Sequence, residues 1–205
     1  MANVSRPTGF RPVRFLSGAP YNGKVNLYFI PASDSTAMAV GDLVDLAGSA
    51  DSNGVPTIAR ATAVNGPFLG AIVGFLPSGT NPVDGVLGTG TADLSLSGFR
   101  QASTARYALV ADDPDLIFMA QASGAFAVAD TGLNASVAIS AATSNGGAGM
   151  SNMQVDMSTK ATTASLGLHI LGAVRSVEND LNDTSNLKLE VMINQHRLGK
   201  GVAGV

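Results

Sequence analysis

The chain has 205 residues, a formal net charge of −3, a pI near 5.2 and only 13% charged residues. That balance argues against a nucleic-acid binder, because neutralising phosphates takes clustered Lys and Arg. There is no cysteine, which excludes a disulfide framework or a thiolate metal site.

Twenty-four glycines and a mean hydropathy of +0.25 favour short strands and turns over long surface helices, with surplus apolar surface for a protein partner. The length suits one substantial core or two small ones. No run approaches the roughly 18 apolar residues that span a bilayer, and the first residues lack a secretion-type apolar region. The expectation is a protein assembled in a cytoplasm, without membrane contact. The fold class expected is all-β, an antiparallel sandwich or barrel-like body.

Residues 1–24 carry Pro7, Pro12 and Pro20 among Gly9, Gly18 and Gly23, a mixture that cannot sustain a helix. They are expected to form an extended N-terminal arm, with Phe10 and Phe15 as apolar anchors lying over another surface. The body, residues 25–193, opens with Lys24–Ile30, rich in β-branched and aromatic residues and closed by Pro31. Strands are expected at 39–46, 57–63 and 67–75, with Asn65-Gly66 as a tight hairpin turn between the last two. Residues 76–105 are dominated by small and polar residues and read as an exposed loop or an irregular β-excursion.

The pattern resumes at 107–111, 116–121 and 125–128, around the turn Asp112-Asp113-Pro114-Asp115. Residues 130–137 predict a helical turn capped by Asp130 or Thr131. Residues 143–165 read as a long loop, an insertion near 141–165 between two halves of the core, or as a domain boundary. The closing strands are 166–174 and 187–193; in the second, Leu187, Leu189, Val191 and Ile193 alternate with Lys188, Glu190 and Met192. Residues 194–205 form a glycine-rich, basic C-terminal tail.

Charge is distributed unevenly. Arg6, Arg11, Arg14 and Lys24 precede residue 31 without an acid, Arg197 and Lys200 follow residue 193 without one, and all fifteen acids lie between. Arginines interleaved with aromatics suit a desolvated protein interface, so Arg6, Phe10, Arg11, Arg14, Phe15, Arg197 and Lys200 are the candidate partner-binding residues.

Catalytic chemistry finds little support. His169 lies in an apolar strand and His196 at the edge of the tail, neither in a motif with a serine or carboxylate. Asp112, Asp113 and Asp115 offer hard oxygen ligands, but the proline among them makes good turn chemistry and the downstream bidentate glutamate of a calcium loop is missing. The glycine cluster 85–90 lacks the Gly-Lys-Ser/Thr ending of a phosphate loop. No enzyme activity, catalytic residue, metal or cofactor is expected.

Several stretches resemble tailed-bacteriophage virion proteins encoded near the major capsid protein: Ala2–Tyr21, Pro31–Gly41 with Leu43–Leu46, Arg106–Gln121, Leu171–Val174 and Val191–His196. Ala39–Gly74 is similar to the compact β-domains of head decoration proteins, although this chain is longer than the small members. The resemblance implies a decoration or cement protein on the outer surface of the capsid. Its partners would be the major capsid protein and further copies of itself, with a trimer favoured. A head fibre or tail component is the alternative role in the virion. On this reading the N-terminal arm crosses a subunit boundary, and deleting residues 1–15 is expected to spare the body.

Overall fold

A computed structural model describes residues 3–76, 98–142, 149–199 and 205. Strand-forming sequence alternating with Gly, Asn and Asp turns folds there into thirteen strands. They are β1 (Arg11–Phe15), β2 (Asn26–Ile30), β3 (Met38–Ala39), β4 (Leu43–Ala50), β5 (Pro56–Arg60), β6 (Gly70–Phe75) and β7 (Phe99–Arg100). β8 (Arg106–Ala111), β9 (Leu116–Gln121), β10 (Asn134–Ala138), β11 (Gln154–Ala161), β12 (Leu168–Ala173) and β13 (Lys188–Ile193) follow. The fold is all-β and mostly antiparallel. Among the described residues no helix is long and apolar enough to cross a membrane.

Five strands close into a barrel in the order β2-β5-β4-β6-β8, joined by the parallel pair Phe29–Thr57. Closure leaves this sheet no free edge. Period-two alternation then divides its side chains. Val44, Ile72 and Val110 point inward to a core with Tyr28, Ile30, Ile58, Leu69 and Phe75, while Leu43, Ala71 and Ala111 join a second core outside.

That second core lies between the barrel and a six-stranded sheet ordered β1-β9-β13-β12-β10-β11. Register shifts at Pro12/Arg14, Asn134/Ser136 and Ile170/Gly172 bend the strands as bulges do. The curl brings β11 back toward β9, where Ala122 bridges Val155. The alternation expected in β13 is present: Leu189, Val191 and Ile193 are buried, and Lys188, Glu190 and Met192 face outward.

The two-stranded ribbon β3–β7 brings Met38 into the barrel core. Beside it Arg100, fully buried, donates to the carbonyls of Thr104 (2.7 Å), Thr36 (2.6 Å), Pro31 (2.9 Å) and Asp34 (2.9 Å). Its planar fork reaches several acceptors at once, and the Asp34 carboxylate 3.9 Å from Nη1 adds an opposite charge, so the buried cation is satisfied.

The structure corrects several local expectations. Residues 3–24 are extended, but they lie on the chain's own body: β1 pairs with β9, and Phe10 and Phe15 belong to the second core. Asn65-Gly66 does not close a hairpin, because β5 and β6 each pair with β4 instead of with one another. The tight connection is Asp51–Gly54 between β4 and β5, where the Asp51 carboxylate accepts from the amides of Asn53 and Val55, each at 2.8 Å.

Residues 125–128 form no strand. The helical turn is Val128–Asp130, earlier than expected, and 134–138 is β10. Residues 154–161 of the expected long loop are β11, with Val155 and Met157 buried. Residues 143–148 and 77–97 lie outside the described residues.

Candidate interaction surface

The polar segment between β12 and β13 is shaped by its own side chains. Buried Asn179 donates to the carbonyls of Val174 (2.7 Å) and Lys188 (3.0 Å) and accepts from the Lys188 amide (2.8 Å), which pins the base of the loop. Asp180 and Asp183 accept from the amides two residues on, Asn182 and Ser185, both at 3.0 Å. These Asx turns fold the loop without a hydrophobic core.

The N-terminal segment is stitched to the same loop. Asn3 donates its amide to Asp183 Oδ2 (2.8 Å) and its side chain to the carbonyls of Asp180 (3.0 Å) and Asp183 (2.9 Å), and its Oδ1 accepts from the Asp180 amide (2.9 Å). The amides of Asn3 and Ser185 hold the Asp183 carboxyl below its ordinary value. Gln121 continues the seam: its Nε2 donates to the carbonyls of Val4 (3.0 Å) and Asn186 (3.1 Å), and its Oε1 accepts from the Arg6 amide (3.1 Å).

Across from this loop stands the Val128–Asp130 turn, tied over by the Phe126 amide donating to the Thr184 carbonyl (3.0 Å). Burial works against ionisation of Asp130, but Lys160 Nζ at 2.7 Å and the Ala127 amide at 2.8 Å outweigh it and hold the carboxyl below its ordinary value.

Between the two walls lies a groove of about 660 Å³, lined chiefly by Phe126, Val128, Leu171, Val174, Leu181 and Leu187. Val128 and Leu181 on opposite walls are 79% and 47% exposed, and nearby Val177 is fully exposed. Leaving such side chains in water is unfavourable by roughly 25 cal/mol per Å² of apolar surface. Clustered apolar exposure beside a concave surface is what an interaction site offers.

The outward face of the six-stranded sheet adjoins the groove through Glu190, which lines it. Arg14 donates to Glu190 at 2.6 Å, and Arg11, Met119 and Glu190 stand in register across β1, β9 and β13. Half-buried Met119 and Met192 on this face supply adaptable apolar area.

Compared with protein-family models, curated proteins and solved structures, the chain matches none of them.

The expected partner-binding residues thus have different fates. Phe10 is fully buried and Phe15 nearly so, both spent on the chain's own core and unable to fill a partner's pockets. Arg14 is paired with Glu190, and Arg197 is paired with Asp45, its Nε 2.7 Å from Oδ1. Arg6 and Arg11 are exposed and form no ion pair among the described residues. Lys200 lies outside the described residues.

The acidic trio is likewise occupied. Asp112 is buried and accepts from Tyr28 Oη (2.5 Å) and Asn26 Nδ2 (3.0 Å to each oxygen), and Asp113 caps its turn through the Asp115 amide (2.9 Å). Among the described residues no group of three or more His, Asp or Glu is placed to hold a metal. His169 Nδ1 donates to Asn134 Oδ1 at 2.7 Å.

Sequence reasoning missed the groove. Its available signals were Leu181 and Val177, isolated apolar residues in an otherwise polar stretch.

Proposed function

We propose that this chain is a capsid decoration or cement protein of a tailed bacteriophage. In this reading it binds the outer head surface and reinforces contacts between major capsid subunits, as a homo-oligomer for which the resemblance favours a trimer. The observation that carries the proposal is the open apolar groove with Val128 and Leu181 on its rims. Two arginines that form no ion pair among the described residues, Arg11 on the edge strand β1 and Arg6, whose amide donates to Gln121 at the end of β9, lie nearby.

The mechanism is additive burial. Each copy would lay this surface on a subunit boundary, excluding water from apolar area at roughly 25 cal/mol per Å² while the arginines meet carboxylates at the rim. Repetition over a symmetric shell multiplies modest contacts by raising effective concentration. No bond-making step enters this reading.

The deciding measurement is protein stoichiometry in purified virions, with fibre-like and tail-like copy numbers as the contrasting outcomes. A copy number in fixed proportion to the major capsid protein is expected. Heads that lack the chain, or carry only a handful of copies, overturn the proposal.

A further inference from the structure

The C-terminal segment joins the two halves of the molecule. The Phe68 amide donates to the Gln195 carbonyl (2.8 Å), the Arg197 amide donates back to the Phe68 carbonyl (2.8 Å), and the Asn194 amide donates to the Gly167 carbonyl (2.8 Å). Phe68 flanks the barrel strand β6 and Gly167 precedes β12 of the sheet, so residues 194–197 bridge both layers. His196 sits at the centre of this bridge with 5% of its surface exposed.

Its two ring nitrogens have opposite circumstances. Nδ1 accepts a hydrogen bond from the Leu198 amide at 3.1 Å, so it carries no proton and the ring is the neutral Nε2–H tautomer. Nε2 is buried without a hydrogen-bond partner among the described residues. A proton added at Nδ1 would set two donors face to face and leave a cation whose N–H groups have no acceptor, in a site with almost no water.

We propose that His196 is a pH-operated latch: neutral, it locks residues 194–199 across the barrel and sheet, and on protonation it releases that segment.

Charged groups around the ring do not rescue the cation. Asp112, Asp113 and Asp115, from the turn joining β8 and β9, attract it. However, Asp112 is already bonded to Tyr28 and Asn26, and Asp113 to the Asp115 amide. On the tail itself, neighbouring Arg197 is paired with Asp45. Burial outweighs the three carboxylates and pushes the imidazole below its ordinary value of 6.5. With the folded value depressed, the latch's stability is fully present above the unfolded value and is lost as pH falls through the folded one. The release window therefore lies below 6.5.

The test is NMR on the full labelled chain from pH 8 to 4.5, following the ring protons of His196 and the exchange protection of the Phe68 and Arg197 amides. The expected result is titration of His196 below 6.5, with protection at both amides falling by up to about tenfold per pH unit between that value and the His196 midpoint and levelling off below it. In His196→Gln, whose Oε1 can take the Leu198 amide but does not titrate, protection should stay flat over the same range. Titration at or above 6.5, protection unchanged between that value and the His196 midpoint, or the same loss in His196→Gln would each overturn the latch. If that variant fails to fold, the wild-type titration decides alone.

Discussion

Gly9 and Gly41 show how single residues set the course of the N-terminal segment. Both have positive φ, +68° and +92°, and their backbones touch: a Cβ on Gly9 would lie 2.4 Å from the Gly41 carbonyl oxygen and 2.4 Å from Ser151 Cβ. This approach lets the Phe10 amide donate to the Gly41 carbonyl (2.9 Å) and drives the Phe10 ring fully into the core. Gly9→Ala should therefore lose about 2–4 kcal/mol in urea denaturation, from the left-handed backbone and the overpacked contact together. Gly18→Ala serves as a comparison: it also has positive φ, +89°, but nothing lies within 4 Å of its added Cβ. Its loss should be limited to the backbone contribution, about 1–2 kcal/mol.

At the scale of elements, β1 decides whether the N-terminal segment is an appendage. It contributes Phe15 to the second core, pairs with β9, and carries the Arg14 that meets Glu190 on β13. Deleting residues 1–15 removes Phe10 and Phe15 together, and truncating one such buried ring costs about 3–5 kcal/mol. Since domain stability is typically about 5–15 kcal/mol, the truncated chain should lose its cooperative thermal transition in circular dichroism, instead of folding normally with a partner-binding defect. β1 also protects a sheet edge: Pro12, the bulge beside it, and exposed Arg11 discourage pairing with another strand. Assembly contacts are then better made through faces and the groove than by strand addition.

For the molecule as a whole, the division of labour among the described residues is between two closed cores and an open apolar groove. The barrel fills its interior with its own side chains, and the curled sheet packs against the barrel's outer face. The groove between Val128 and Leu181 remains exposed to solvent. Changing residues on its rims should barely alter folding, since surface substitutions usually fall within about ±0.5 kcal/mol. The double variant Val128→Glu, Leu181→Asp is expected to keep the wild-type melting temperature within about 2 °C while its incorporation into heads, read by gel densitometry of purified particles, falls at least about tenfold. Wild-type incorporation by this folded variant would remove the groove from the interface.

The strand content was legible because alternation is local. β13 carries its period-two pattern in adjacent positions, while β2 and β9 are short apolar runs rich in aromatic and branched residues, and each signal persists whichever partner the strand finds. β1 and β11 were not legible: the first is interrupted by Pro12, and the second is polar apart from Val155, Met157 and Ala161, so both are strands only because a neighbour supplies the pairing. The same distinction governs the candidate site. Composition determined a turn-rich β-protein with apolar surface to spare, and it marked Phe10 and Phe15 as anchors. Only the tertiary structure decided that these anchors fill the chain's own core and that the open surface lies at Val128 and Leu181, because burial depends on which distant segments meet, and no local pattern encodes that.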